Sequence, residues 1–253
     1  MLQIRKKRGF VRYTIIYNAN QVKENSKLFS LYLYEGLEQE NKNIGFYNVK
    51  RKTLLSNLEE DEERILSKFK SNVRNEINRA KKDGCMAIYN IEPKHFLALY
   101  NKFATLRNIA TVPIDDYEAL GENLILSAAL YDREYVAYHA YIVDKEASKV
   151  ILLHSGTNRL ENKDISVAMI GRANRFLHYQ DMLYFKNKGF TLYDWGGVVL
   201  KKDEEYKGID EFKLSFGGEL KETFSSYSFL YWWLLKIVNI FRKINYGKKK
   251  NKN

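Results

Sequence analysis

The feature that most constrains the fold is a set of three strand patterns followed by one long helix and a short strand. Apolar stretches between residues 124 and 155 are joined by short polar turns, which is typical of an antiparallel meander. A helical pattern over 166–188 then leads into a strand at 191–194. Because a strand, helix and strand of these lengths form a right-handed crossover, strands 149–155 and 191–194 are predicted to be parallel neighbours. The fold class is therefore α/β, with a mixed sheet.

The patterns on either side of this region predict further helices and strands. A long helix is expected over 59–83, where Ile65, Phe69, Val73 and Ile77 repeat every four residues. The other predicted elements are strands at 10–17, 44–50 and 219–228, and helices at 93–108, 116–121 and 209–216. Between the first two strands, an apolar run has helical spacing: Leu28, Leu31, Tyr32, Tyr34 and Leu37.

Composition excludes several classes of protein. Hydrophobic residues make up 45% of the 253 residues, enough for a sizeable core, so a mostly disordered chain is excluded. One cysteine, Cys85, excludes an internal disulfide framework and cysteine-rich metal sites. With four histidines in addition, we expect no metal site and a reducing, cytoplasmic compartment.

Positive charge is concentrated near the two ends of the sequence. Residues 1–12 hold five cations and residues 223–253 hold seven, neither with an acid, which leaves residues 13–222 at −1 of a total of +11. A nucleic-acid-binding domain usually carries a basic stripe on its folded body. This distribution favours an anionic membrane surface as partner instead.

Residues 227–246 predict an amphipathic helix with two tryptophans. Lys236, Asn239 and Lys243 share one stripe, and the rest is largely apolar, as in helices that lie in a membrane interface. The alternative is a helix packed on its own domain. No signal peptide or spanning helix is expected, because the apolar stretch 229–235 is far shorter than a membrane span. The sequence thus divides into 1–50, 51–228 and a basic tail, 229–253.

Three motifs resemble those of the FemAB-like, or peptidoglycan-bridge aminoacyltransferase-like, branch of the GNAT acyltransferase superfamily. They are Ser-Asn-Val-Arg-Asn-Glu-Ile-Asn-Arg-Ala over 71–80, Asp-Trp-Gly-Gly over 194–197, and Phe-Lys-Leu-Ser-Phe-Gly-Gly over 212–218. The resemblance covers residues 50–225. It implies a GNAT-like acyltransferase fold, here with an N-terminal extension and a C-terminal amphipathic helix.

The resemblance also implies a function. Such enzymes move an acyl or aminoacyl group from a thioester or ester donor to an amine of a cell-envelope precursor, which is a peptidoglycan, polysaccharide or lipid-linked molecule. The enzyme would work in the cytoplasm, peripherally at the inner face of the cell membrane. The donor stays open between acyl-CoA and aminoacyl-tRNA. The alternative from another class is a non-catalytic GNAT-fold scaffold that binds the membrane surface or an envelope-assembly partner.

Candidate catalytic residues follow from the motifs and from their predicted positions. The resemblance places Lys213 at the reaction centre, where a cation stabilises the oxyanion. Amine acylation also needs a base. Asp194, at the end of a predicted parallel strand, and His154, at the end of its neighbour, are the two candidates; each has the alternative of a purely structural hydrogen-bonding role.

Candidate binding residues are expected around this centre. Phe212 and Trp195 would contact substrate, and Arg74 and Arg79 would contact a phosphate of donor or acceptor, although a solvated helix face also explains both arginines. Gly171, Arg172 and Ala173 partly match the loop that holds CoA pyrophosphate in GNAT enzymes. They are therefore the predicted cofactor-binding residues.

Overall fold

The computed structural model describes residues 1–19, 22, 30–162, 164–200 and 204–238. The strands in these residues are β1 Leu2–Arg8, β2 Val11–Tyr17, β3 Tyr32–Leu37, β4 Phe46–Asn57, β5 Met86–Tyr89, β6 Leu124–Tyr131, β7 Glu134–Asp144, β8 Lys149–Thr157, β9 Leu192–Gly197 and β10 Glu219–Ser228. The helices are α1 Glu62–Ser67, α2 Ser71–Lys82, α3 Pro93–Leu106, α4 Ile114–Glu118, α5 Val167–Asn187, α6 Glu204–Leu214 and α7 over 229–238, with a 3₁₀ turn at Gly121–Asn123.

The chain divides into two compact units. Unit 1 is Met1–Arg51 with Glu222 and the residues after it, and unit 2 is Lys52–Lys221. The three-part division expected from the sequence, at residues 50 and 228, stays a prediction.

Unit 2 has the predicted mixed sheet, in the order β4-β9-β8-β7-β6-β5. β5, which the sequence did not predict, pairs antiparallel with β6. β6 to β8 form the predicted antiparallel meander, and β8 is parallel to β9. α5 connects these two parallel strands, so the predicted crossover is confirmed. His139 of β7 hydrogen-bonds to Asp181 of α5, whereas the neighbouring Tyr138 hydrogen-bonds to Leu99 of α3. Since successive strand residues face opposite ways, α5 and α3 cover opposite faces of the sheet.

The helix predicted over 59–83 is two helices in the structure. Asp61 caps α1 by accepting a hydrogen bond from the Arg64 N–H at 2.7 Å. The chain then extends at Lys70, whose N–H donates to the Ser215 carbonyl at 2.9 Å instead of continuing a helical ladder. Phe69 is buried at this break, so its fit to the helical spacing reflects core packing.

Unit 1 has a five-stranded arrangement, β1-β2-β3-β10-β4, in which β2 and β3 are parallel. β1 is a strand that the sequence did not predict. The run with helical spacing before residue 38 was also misassigned, because Tyr32–Leu37 forms β3 and pairs with β2 and β10. Tyrosine and other aromatic residues favour strands, and here the cross-strand partners outweigh the helical spacing. Leu28 lies outside the described residues.

The helix α7 packs on the sheet of its own unit. Tyr231 is buried and stacks on Tyr13 of β2 with ring centroids 5.3 Å apart. Trp232 stacks on Tyr47 of β4 at 3.8 Å. The predicted amphipathic helix is therefore present up to residue 238, with one face packed; the rest of it lies outside the described residues.

Candidate functional site

The two parallel strands of unit 2 separate at their carboxyl ends. β8 and β9 pair from Lys149 with Leu192 to Ile151 with Asp194, and both strands continue beyond that point without pairing. Ligands of α/β proteins bind at the carboxyl ends of parallel strands, where the connections diverge. This opening is therefore the first place to look for a site.

A cleft of about 460 Å³ lies in the same unit, between α2, the end of β8, α5 and α6. Its charged lining is three cations, Lys70, Arg159 and Arg175, against one acid, Glu211. Its other polar groups include the side chains of Asn72, Thr157, Asn174 and Ser215. A net charge of +2 in a concave site favours an anionic ligand.

Two of the predicted residues line this cleft. Phe212 lies under the Arg175 guanidinium, which is 5.3 Å from the centre of the ring. Gly171 leaves room for Arg175, whose Nη1 donates to the Gly171 carbonyl at 3.0 Å. Burial lowers the pKa of Arg175, although Glu76 opposes the effect. Arg175 was not predicted from the sequence.

The side chain of Lys213, in the last turn of α6, reaches the carboxyl end of β9. Its Nζ donates to the Gly197 carbonyl at 2.8 Å. Burial lowers the pKa of this ammonium group, and the nearby Asp210 and Asp194 carboxylates raise it. The Asp194 carboxylate is thus near enough to the Lys213 ammonium group to act on it electrostatically.

Asp194 is held by several donors. It accepts hydrogen bonds from the Thr53 hydroxyl and from the Gly196 N–H at 2.9 Å, and it pairs with the Lys149 ammonium at 2.6 Å. These donors occupy both oxygens of the carboxylate and hold it in one orientation. The arrangement fits the structural alternative, in which Asp194 fixes the turn that presents Gly197 to Lys213.

His154 lies on the other side of the sheet. Its Nδ1 is 2.8 Å from the Tyr117 hydroxyl of α4, and its ring lies 4.7 Å from that of Tyr100 of α3. His139, two strands from β9, faces α5. His154 is not among the residues that line the cleft, so the structure does not bring it to Phe212 and Arg175.

The remaining predicted contacts have other partners. Trp195 is fully buried, and its Nε1 donates to the Ser56 hydroxyl at 3.0 Å, which makes it a core residue. Arg74 donates to the carbonyl groups of Phe69 and Ser67, across the α1–α2 break. Arg79 is exposed near the end of α2. None of the three lines the cleft.

The segment compared with a pyrophosphate loop is the interior of α5. The helix begins after its cap, Ser166, so the amides of residues 171–173 already donate to carbonyl groups one turn earlier. Arg172 pairs with Asp83 at 3.5 Å, and Ala173 is buried. These amides are therefore not oriented for a pyrophosphate. Of these three residues, Gly171 lines the cleft.

A buried polar network lies directly behind the cleft. His139 Nδ1 and the Tyr141 hydroxyl lie 2.7 and 2.6 Å from the same oxygen of Asp181. The Tyr141 hydroxyl continues to that of Tyr193 at 2.8 Å, which lies 3.0 Å from His178 Nδ1. All five side chains are buried, and the second Asp181 oxygen has no hydrogen-bond partner in the described part of the chain.

This network connects to the cleft through Asn174, whose Oδ1 is 3.0 Å from His139 Nε2. Burial lowers the pKa of His178, and the charges of His139, Lys213 and Arg175 lower it further. His178 is therefore neutral at physiological pH. A polar stripe on α5 could have indicated this side of the site, because Gly171, Asn174, Arg175 and His178 follow helical spacing.

No protein-family model matches the sequence, and no curated protein matches it either. Solved structures do. FemX is similar over 92% of this chain and 85% of its own, with a TM-score of 0.63 and 15% identity. The chain has the fold of FemX. The predicted α/β fold with a mixed sheet, like that of FemX, is thereby confirmed.

Two further structures share this fold. L-PGS from Bacillus licheniformis covers 79% of the chain with a TM-score of 0.54 and 13% identity. The C-terminal domain of a putative lysylphosphatidylglycerol synthetase from Agrobacterium fabrum covers 79% with a TM-score of 0.53 and 10% identity. This chain covers 68% of each. At these identities the likeness is one of fold, and the function has to be argued from the site.

Among the described residues, no group of three or more His, Cys, Asp or Glu side chains is arranged to hold a metal ion. None of the helices described for residues 1–238 is both long and apolar enough to cross a bilayer.

Proposed function

We propose that the protein is an N-acyltransferase that moves an acyl or aminoacyl group to an amine of a cell-envelope precursor. The observation that carries this proposal is the position of Lys213. The ammonium group of a half-buried lysine lies where two parallel strands separate, next to a positively charged cleft. The fold shared with FemX and with L-PGS supports the same class of reaction.

The chemistry assigned to Lys213 is electrostatic. The acceptor amine attacks the carbonyl carbon of the donor, a C–N bond forms, and the carbonyl oxygen becomes an oxyanion. The Lys213 ammonium stabilises that oxyanion without giving up its proton. The C–S or C–O bond to the donor then breaks, and the proton lost by the amine passes to a base or to the leaving group.

The cleft suits the donor end of this reaction. Both candidate donors, acyl-CoA and aminoacyl-tRNA, carry phosphate groups as well as the reactive thioester or ester. Arg159, Arg175 and Lys70 supply the cations that such groups need, and the Phe212 ring supplies an apolar wall. These residues replace the amides of 171–173 as the proposed donor contacts.

Transfer of a labelled group tests the proposal. Purified protein would be incubated with labelled acetyl-CoA, longer acyl-CoAs or aminoacyl-tRNA, each with amine-bearing envelope precursors. We expect labelled amide with one donor class, and its loss in Lys213→Ala. Lys207→Ala, an exposed lysine on the same helix, is the matched control. A Lys213→Ala variant as active as the control would refute the assignment, and failure with every donor would favour the scaffold alternative.

We further propose that unit 1 holds the enzyme at the inner face of the cell membrane through its C-terminal helix and basic tail. One face of α7 packs on the sheet, while Phe229, Trp233 and Ile237 form an exposed stripe one turn apart. The Lys236 ammonium lies 5.2 Å from the Trp232 ring. Six further cations follow among residues 239–253. An apolar stripe next to a basic segment is typical of helices bound at an anionic bilayer surface.

Co-sedimentation with vesicles tests this second part. Removing residues 229–253 would also remove Tyr231 from the core, so the truncation should instead delete 239–253. We expect that form to pellet less with phosphatidylglycerol vesicles, and the full chain to be released as salt rises. A truncated form that binds as well as the full chain would refute the role of the basic tail.

A further inference from the structure

The turn between β1 and β2 exposes an aromatic side chain completely. The two strands form a hairpin in which Arg8 pairs with Val11, so the loop is Gly9-Phe10. Phe10 is 104% exposed and Val11 40% exposed. A large apolar side chain at the tip of a tight hairpin gains nothing from the fold, because it packs against no other part of the unit.

Cations surround this tip on both faces of the hairpin. Arg5, Lys7 and Arg12 are exposed and share one face, and Lys6 and Arg8 lie on the other. Residues 1–12 contain no acid. Lys7 lies directly across from Arg12, an arrangement in which like charges destabilise a strand pair. The hairpin therefore carries a concentration of positive charge that an anionic partner would relieve.

We propose that the Gly9-Phe10 hairpin tip inserts into an anionic bilayer, with Phe10 and Val11 in the apolar layer and the three exposed cations of one face, Arg5, Lys7 and Arg12, at the lipid phosphates. This site is separate from α7 and from the transfer chemistry. An apolar tip inside a basic collar matches the profile of a membrane interface, where burial of the ring and attraction to the headgroups add.

An RNA strand is the other anionic partner to consider. A single aromatic ring among cations could stack on a base. Unit 1, however, exposes further apolar side chains that have no such use. Val11 adjoins Phe10, and Ile44 is 97% exposed beside the first turn of α7, where the Phe229 N–H donates to the Gly45 carbonyl at 2.8 Å. Exposed aliphatic residues in the same unit favour lipid.

A fluorescent label at position 10 tests insertion in the full chain. The native cysteine, Cys85, is buried and its pKa is raised to about 11, so Phe10→Cys can be labelled selectively with an environment-sensitive dye. We expect a blue shift with phosphatidylglycerol vesicles and none with Leu106→Cys, an exposed position in unit 2. A labelled position 10 that stays in water would overturn the proposal. If labelled Ile237→Cys still entered the lipid, the proposal for α7 would stand without it.

Substitutions separate the apolar and the electrostatic parts. Phe10→Ala removes a fully exposed ring, so the melting temperature should stay unchanged while vesicle binding weakens about tenfold or more. Lys7→Gln and Arg12→Gln should each weaken it about fivefold, and Lys81→Gln on α2 should not. If all of these variants bound vesicles as well as the wild type, the proposed insertion of the hairpin tip would be refuted. If the same substitutions weakened binding to tRNA and the wild type did not bind vesicles, the surface would be assigned to RNA and the proposed insertion would also be refuted.

Discussion

Replacing either glycine of the Gly217-Gly218 pair by alanine should destabilise the protein strongly. Gly217 has φ +71° and Gly218 has φ +104°, conformations that an L side chain rarely adopts. A Cβ on Gly217 would lie 2.7 Å from the Lys68 carbonyl oxygen, and one on Gly218 would lie 2.7 Å from that of Leu55. In both cases the obstacle is backbone, which cannot rotate away.

The size of the effect follows from two contributions. A positive φ costs a non-glycine residue about 1–2 kcal/mol, and forcing an extra methyl group into a packed site costs about 1–3 kcal/mol. Each variant should therefore lose roughly 2–5 kcal/mol of unfolding free energy, which lowers the melting temperature of a domain of this size by about 4–20 °C. Thermal and urea unfolding, followed by circular dichroism, measure both quantities.

Gly197→Ala is the matched control. This glycine belongs to the same site, but its φ is not positive and an added Cβ would meet no atom within 4 Å outside its chain neighbours. It should melt near the wild type. If Gly218→Ala also melted within about 2 °C of the wild type, less than about 1 kcal/mol, the backbone explanation of this motif would be wrong.

Three further predictions concern the site. Lys213→Ala should keep the fold and lower turnover about a hundredfold, roughly 3 kcal/mol of transition-state stabilisation, in steady-state assays with Lys207→Ala alongside. Arg159→Glu should weaken binding of phosphate-bearing donors about tenfold or more in calorimetric titrations, because it reverses a cleft charge. Since the pKa of His178 is lowered on folding, unfolding takes up a proton below pH 6.5, so stability should fall with decreasing pH by up to about 1.4 kcal/mol per unit. The unfolding free energy, measured with urea between pH 7.5 and 5.5, should change less with pH in His178→Gln than in the wild type.

Much of unit 2 could be predicted because its elements are local and strongly patterned. The meander has short turns and continuous apolar strands, and a single helix of crossover length follows it. Handedness and chain connectivity then leave little freedom for β8 and β9. The break at Lys70 could not be predicted, because its cause is a hydrogen bond to Ser215, 145 positions away along the chain.

Unit 1 was harder because its strands do not carry the usual signals. β1 is an edge strand of mostly basic residues, and its sequence resembles a charged tail more than a strand. β3 is rich in tyrosine, and its apolar residues also fit a helical period. In both strands the deciding interactions are with partners distant in the sequence, which no local pattern contains.

The sequence named residues near the cleft only where a motif contains them. Phe212 and Gly171 line the cleft, and Lys213 reaches the end of β9; their roles stay predictions. Arg159 and Arg175 were missed, because they are 16 positions apart in the sequence. Both line the cleft only because α5 packs beside the end of β8. The polar stripe on α5 was visible in the sequence, but a long buried helix offers many stripes, and none of its residues alone indicates chemistry.

The seven-residue motif at 212–218 shows why a motif match predicts a fold more securely than a reaction. Phe216 is buried against Trp195, and the two glycines are required by the backbone, so these three of the seven positions serve packing. Phe212 and Lys213, in contrast, face the cleft and the end of β9. A chain that kept the fold and lost the chemistry would retain the first group and be free to change the second. Neither core packing nor a positive φ requires a lysine at position 213, and burial disfavours its charge there. Substitution of Lys213 is therefore the most direct test of the proposed reaction.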